Sequence, residues 1–368
     1  MVRLPEPIRR LGNLDAPLLL AGGLLLLLGW LMQGAAGRGG EELATSWERW
    51  LLLGGAVSFL LLLLPLPRVL SMAPVFYGVG LGMLVLVKVA GPVINGSQRW
   101  LPLLGRGLQP SEFMKLFTLL MLAQLYRAQR ARAEFHEWLP VLVVGLLPTG
   151  LILVQPDLGT SLMFVPLTLA VIIAGGARWK PLLFSTAAAA LALFLAGGML
   201  LEPYQKERIA STINIENMSA SQRSGAGYQL AQSLTAVGNG GLFGHGLGEG
   251  PCVQSGRLPY HHNDFIFAEI AEETGFVGSA LFVLLEMAFV LLICRVGAAA
   301  RPLSARTLCA GAAALLGAQA FAHMAVTVAL APTKGLPLPF ISAGGSSLLV
   351  SMLVLALVQG VSVQRGRW

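Results

Sequence analysis

This sequence predicts an all-α fold: a polytopic membrane helix bundle of ten transmembrane helices, with one long extracytoplasmic loop between helices 7 and 8. Three observations predict it. Hydrophobic residues make up 55% of the 368 residues and charged residues only 12%, about half the roughly 25% of ordinary soluble domains. The mean hydropathy is +0.72. The apolar residues gather into runs close to the ~20 residues a helix needs to cross a bilayer, without the alternation of a membrane barrel. Together these exclude a disordered chain and a soluble enzyme with a charged surface.

The spans are expected near Ala16–Met32, Leu51–Leu70, Pro74–Val93, Ser111–Tyr126, Trp138–Val154, Ser161–Gly176, Pro181–Leu201, Phe265–Cys294, Thr307–Leu330 and Ser347–Val363. The first is followed by charged, Gly-rich sequence and more apolar runs, so it is retained as a helix and not cleaved as a signal. The third carries Lys88 late, where it snorkels outward. The fourth opens with Gln109-Pro110-Ser111-Glu112. The fifth and sixth are joined by a tight turn, Gln155-Pro156-Asp157-Leu158-Gly159-Thr160. The eighth holds Glu286, which has no evident partner in sequence. The ninth and tenth flank the proline-rich stretch around Lys334.

The net charge of +7 is spread over short loops, not clustered as for nucleic acid. More Lys and Arg lie on the side of the N-terminus, including Arg127, Arg130, Arg132, Arg178, Lys180, Arg295, Arg301 and Arg306. The positive-inside rule then puts both termini in the cytoplasm and segment 202–264 outside. The whole chain, 1–368, reads as a single integral membrane domain. Cys252, Cys294 and Cys309 form neither a disulfide framework nor a metal motif.

The polar residues carry the functional signal. Glu112 and Lys115 are three apart on one helix face; position alone leaves a stabilising pair and a functional pair equally open. Asp157 reads first as turn or cap chemistry. Ser342 to Ser347, rich in small residues, allows re-entrant backbone or close helix packing, and reads first as packing. The glycines at 238, 240, 241, 244, 246, 248 and 250 match no nucleotide-binding pattern; they read as a loop, or more sharply as a mobile flap. Asp264, following His261, His262 and Asn263 at a loop–helix junction, reads by position as a helix N-cap. Glu269 and Glu273, one turn apart, are expected to line the outer mouth of the bundle.

Seven stretches then occur in a distinctive order: Asn95 to Trp100, Gln109 to Leu116, Gln155 to Thr160, Gly227-Tyr228-Gln229 with Gln232-Ser233, Gly240 to Gly248, His262 to Phe267, and Leu336 to Ser347. With them the chain resembles the shape, elongation, division and sporulation (SEDS) family, which includes RodA and FtsW. That resemblance implies a peptidoglycan glycosyltransferase in the inner (cytoplasmic) membrane, polymerising lipid II at the outer face. It matches His262-Asn263-Asp264-Phe265 to the family's His-Thr-Asp-Phe stretch, and so implies that Asp264 is catalytic. Asn263 for Thr, Tyr260-His261 for Glu-Ala, and Ala343 for Tyr depart from the pattern, and none removes the carboxylate. The loop around Lys334 and Gly246-Leu247-Gly248 look like the division branch, FtsW, whereas Ser97 to Trp100 looks closer to the elongation branch, RodA; the balance falls slightly toward FtsW.

Within the matching stretches, Arg99, Glu112, Lys115, Asp157, His262 and Ser342 are the candidate substrate-binding positions, joined by Lys334 just before the last stretch, with no residue assigned to a metal. The chemistry asks for one base, because a sugar hydroxyl is a weak nucleophile, and for cations to stabilise a pyrophosphate leaving group. Arg99, Lys115, Lys334 or a divalent cation, Mg or Mn, would do the second job; no covalently bound cofactor is expected. The resemblance implies a class B penicillin-binding protein transpeptidase as partner. The alternative is a lipid II flippase, which should carry ionisable groups near the bilayer midplane and an internal repeat. A pure scaffold would leave Asp264 dispensable.

Overall fold

The computed structural model describes residues 11–35, 40–92, 98–103, 106–128, 134–178, 226–257, 262–332 and 335–364. Its helices are α1 (Ala16–Ala35), α2 (Gly40–Leu63), α3 (Leu66–Ser71), α4 (Ala73–Ala90), α5 (Pro110–Leu125), α6 (Phe135–Leu153) and α7 (Leu158–Ala174), then α8 (Ala226–Asn239), α9 (Pro251–Gln254), α10 (Ile266–Ala298), α11 (Leu303–Thr327) and α12 (Gly345–Val363). Among the described residues, seven helices are long and apolar enough to cross a membrane: α1, α2, α4, α6, α10, α11 and α12. The chain is a multi-pass membrane protein. The expected span Pro181–Leu201, and Lys334, lie outside the described residues.

The expected span Leu51–Leu70 is corrected. Its apolar run is cut by Pro65 and Pro67, so α2 ends at Leu63 and the short α3 starts with proline in its first turn. The helix instead extends back to Gly40, burying Trp47. A small antiparallel hairpin, β1 (Leu101–Leu103) with β2 (Arg106–Leu108), precedes α5, with Leu101 opposite Leu108. It sets Arg99 and Gln109 at its two ends.

Burial grades from centre to rim. α12 is buried along almost its whole length, as expected of a helix apolar on every face. α2 and α4 expose Leu52, Phe59, Leu60, Val75 and Val79, the surface a lipid-facing helix presents. Small residues let the inner helices close up: a Cβ on Gly311 of α11 would lie 2.6 Å from Leu119 Cδ1 of α5. At the end opposite Asp264, Arg295 of α10 meets the Asp15 carboxylate at 2.6 Å, and the Gln359 side chain of α12 both accepts from and donates to the Asp15 backbone.

α10 is broken. Gly275 has φ 68° and ψ −166° inside it, a conformation open essentially to glycine alone. The glycine-rich segment fills the break. Gly241 and Leu242 carbonyls accept from the Phe276 and Val277 amides, while His245 and Gly246 amides donate to the Glu272 and Glu273 carbonyls. The groups freed by the break are thus satisfied within the protein, as membrane burial requires. The stretch expected to be a mobile flap is, over residues 241–246, hydrogen-bonded to α10.

Gly275→Ala should cost about 1–3 kcal/mol in backbone strain, and its Cβ would also meet the Gly244 and Phe243 amides. The expected result is a lower thermal midpoint in detergent with faster hydrogen exchange at 241–246. Gly82→Ala, whose Cβ meets nothing within 4 Å, should be neutral or slightly stabilising.

Candidate active site

Several polar residues singled out in the sequence are tied to the turn 262–265 or to the segment 335–346 that adjoins it. α10 begins at Ile266 with Phe265 as its N-cap, and that cap makes no side-chain bond. Asp264 therefore lies one residue before the cap, and the N-cap expectation is corrected. Phe265 is 3% exposed, in an apolar cluster with Ala236, Cys252, Ala268 and Val326. It anchors the residue next to Asp264.

The turn is braced from both sides. The His262 carbonyl accepts from the Ala343 amide at 3.0 Å and from Gln33 Nε2 at 3.3 Å. Gln33 Nε2 also donates to the Ile341 carbonyl at 2.9 Å. Ser342 Oγ donates to the Asn263 carbonyl at 2.8 Å and accepts from the Leu338 amide at 2.8 Å. Ser342 is buried and fully engaged, so the expectation that it binds substrate gives way to a bracing role. The half-buried Asp264 carboxylate faces the start of this second segment: a Cβ on Gly335 would lie 3.3 Å from Asp264 Oδ2. Phe340, in the same segment, has φ 65° and is buried edge-on against Phe289. Strain of this kind persists only where the surroundings over-determine the backbone.

Glu112 and Lys115 form the pair their spacing suggested, with Lys115 Nζ 2.8 Å from Glu112 Oε1. Lys115 also donates to Gln319 Oε1 at 2.7 Å, and both charged residues are 1% exposed. In this structure the Lys115 ammonium expected to steady the leaving group is taken up by Glu112 and Gln319. Gln319 passes the connection on, donating from Nε2 to the Pro337 carbonyl at 2.7 Å. One turn along α11, His323 Nδ1 lies 2.7 Å from the Leu336 carbonyl. The sequence reading passed over Gln319 and His323, although Gln319, His323 and Thr327 share one face of an apolar helix at four-residue spacing.

Asp157 caps α7, accepting from the Thr160 amide at 3.2 Å and the Thr160 hydroxyl at 3.0 Å. Gln109 Nε2 donates to Asp157 Oδ2, the oxygen that also takes the Thr160 hydroxyl, at 3.3 Å, and the Gln109 amide donates to Ser346 Oγ. Arg99 Nη1 is 3.9 Å from the same carboxyl group. Arg99 also donates to the Gln155 and Pro156 carbonyls. Its side chain is 26% exposed, leaving it able to meet an anion. Asp157 itself is 3% exposed, so it serves as cap and anchor for Arg99.

Glu269, Glu272 and Glu273 are buried at 0–1% exposure, which corrects the expectation that Glu269 and Glu273 line the mouth. Glu272 accepts from the Cys252 amide at 3.0 and 3.2 Å and from Asn239 Nδ2 at 3.4 Å. Burial, and then the neighbouring Glu272 carboxylate, push the Cys252 thiol up to about 11. Among the described residues, no three His, Cys, Asp or Glu side chains converge to hold a metal ion.

Fold and site define a polytopic membrane protein whose end-on polar cluster presents a single half-buried carboxylate from a braced turn. A family model described as a cell cycle protein, spanning FtsW, RodA and SpoVE, matches residues 16–367. The chain belongs to the FtsW/RodA/SpoVE family. It is 39% identical over 292 residues to the probable peptidoglycan glycosyltransferase FtsW of Coxiella burnetii, covering 77% of this chain and 75% of the relative. It is 34% identical over 303 residues to the peptidoglycan glycosyltransferase MrdB of Escherichia coli K12, covering 81% and 80%. A chain solved in a peptidoglycan synthase complex, described as coordinating polymerization and crosslinking, superposes with TM-score 0.83 at 30% identity, covering 96% of this chain and 99% of that one.

Two expectations follow. Lys115→Met strands Glu112 as a buried charge and should destabilise the protein by about 3–5 kcal/mol. Adding Glu112→Gln should recover most of that, as read by thermal unfolding. Second, at pH 8 a thiol with its pKa near 11 is only about one part in a thousand thiolate, so Cys252 should resist iodoacetamide. Alkylation of the folded protein should rise roughly tenfold per pH unit toward 11. Glu272→Gln removes the neighbouring anion and should speed it at fixed pH.

Proposed function

We infer that this chain is a peptidoglycan glycosyltransferase that polymerises lipid II into glycan strands, with Asp264 as general base. The observation that carries this reading is the Asp264 carboxylate, half-buried beside Gly335 and held by a turn whose flanking carbonyls are both bonded in place. The 4-hydroxyl of the acceptor sugar attacks the anomeric carbon of the donor, and its proton passes to Asp264. The bond to the lipid pyrophosphate breaks with its electron pair, so the leaving group departs as an anion and needs no acid. Direct displacement inverts the anomeric centre, turning an α-linked donor into a β-linked glycan.

Charge on the departing pyrophosphate calls for cations. Arg99 is partly exposed and serves here; Lys334, adjacent to Gly335 in sequence, is the second candidate. A divalent cation, Mg or Mn, is a further candidate for this role.

On this reading the chain has ten spans in the inner membrane, with both termini cytoplasmic, Asp264 outside and 202–264 as an extracytoplasmic segment. Its partner is a class B penicillin-binding protein transpeptidase that crosslinks the new strands. Its role is cell-wall synthesis in division or elongation, with the sequence leaning to division. A lipid II flippase would draw on ionisable groups deep in the bundle. Glu286 is one such group, but Glu112, Lys115, Asp157 and Asp264 all belong to the polar cluster at one end.

Asp264→Asn tests the assignment with little change in shape. Polymerisation of lipid II by the purified full-length protein, with its transpeptidase partner present, should be abolished while the thermal midpoint stays within a few degrees. Normal polymer yield from the Asn variant would remove Asp264 from the chemistry.

A further inference from the structure

The reaction as derived uses Asp264 but not the two buried polar side chains of α11 that reach the segment facing it. Gln319 is 2% exposed and His323 1%. They bond consecutive carbonyls, Pro337 and Leu336, directly after the glycine that borders the Asp264 carboxylate. The segment therefore hangs from α11 at one end. At its other end, Leu338 and Ala343 amides tie it, through Ser342 Oγ and the His262 carbonyl, to the turn that carries Asp264.

Partner chemistry dictates the orientation of both side chains. A lysine ammonium only donates, so Gln319 must turn Oε1 to Lys115 and Nε2 to the Pro337 carbonyl. A backbone carbonyl only accepts, so His323 carries a hydrogen on Nδ1, with Nε2 buried and lacking a hydrogen-bond partner among the described residues. The buried Glu112–Lys115 pair thereby acts as an anchor that holds the Gln319 amide in its donating orientation. Both groups are too deeply buried to meet substrate, so any effect on the reaction passes through the segment they hold.

We propose that Gln319 and His323 are positioning residues: from α11 they set the 335–338 segment at the height that gives the Asp264 carboxylate its alignment with the attacking hydroxyl. This rests on the glycosyltransferase reading above. A displacement of about 1 Å in such a support is enough to cost on the order of a hundredfold in rate.

The substitutions follow from the donor pattern. Gln319→Glu keeps shape and the contact to Lys115 but replaces the donor facing the Pro337 carbonyl with an acceptor. His323→Leu removes the donor to Leu336, whereas His323→Asn restores a donor near the Nδ1 position. Two measurements on the full-length protein, with its transpeptidase partner, decide the matter: amide exchange over 335–343, and lipid II polymerisation per folded molecule.

In Gln319→Glu and His323→Leu, exchange over 335–343 should rise at least tenfold. The maximal rate should fall tenfold or more with KM changed less than about threefold. His323→Asn should return both toward wild type. Unchanged exchange in both variants would overturn the brace itself. Faster exchange with normal turnover, or a rise in KM alone, would overturn its role in alignment, as would a His323→Asn variant as impaired as His323→Leu. A wild-type protein inactive on lipid II would instead refute the glycosyltransferase reading, and the exchange measurement would still decide the brace.

Discussion

Any backbone that leaves helical geometry inside this bundle must find hydrogen-bond partners within the protein, because lipid supplies none. The rest of the molecule is arranged around that constraint. α10 breaks at Gly275 only because the 241–246 segment returns four backbone hydrogen bonds to it. The irregular stretch between α11 and α12 persists because Gln33, Gln319, His323 and Ser342 satisfy its carbonyls and amides. Both of these departures from helix are matched by a side chain or loop from elsewhere in the chain.

The same constraint explains how a membrane protein holds one carboxylate firmly. Buried polar networks are costly when partly satisfied and rigid when nearly complete. Here Glu112, Lys115, Gln319 and the Pro337 carbonyl form one chain of contacts. Arg99, Asp157, Gln109 and Ser346 form another. The first ends on the Pro337 carbonyl, in the segment that faces Asp264; the second ends on the Ser346 hydroxyl at the start of α12. Stabilising a developing charge by groups already in place avoids reorganisation at the moment of reaction.

Several features were legible in sequence because they depend on local chemistry. Eight of the expected apolar runs each correspond to one described helix, and Leu51–Leu70 is divided between α2 and α3, since apolar run length follows hydrocarbon thickness. The Glu112–Lys115 contact follows from i,i+3 geometry, and the Asp157 cap from the Asp-x-x-Thr turn. The misread features were non-local. Ser342 resembled a packing residue or a ligand contact, but its hydroxyl is taken up by Leu338 and Asn263. Glu269 and Glu273, one turn apart near a helix start, were expected to face an opening and are enclosed. The glycine run reads as a flexible tether in any one-dimensional view, since its partners lie some thirty residues away in the chain.

The sequence by itself determined that the chain lives in a membrane, where most of its helices run, and which carboxylate stands at the loop–helix junction. Those are matters of composition, run length and motif. Only the tertiary structure decided what that carboxylate faces, that Lys115 is turned inward, and that α11 reaches across to the 335–338 segment. The reason is physical: a side chain's partner is set by the packing of helices distant in sequence. The periodicity of α11 marks Gln319 and His323 as sharing a face, but nothing in it says what that face meets.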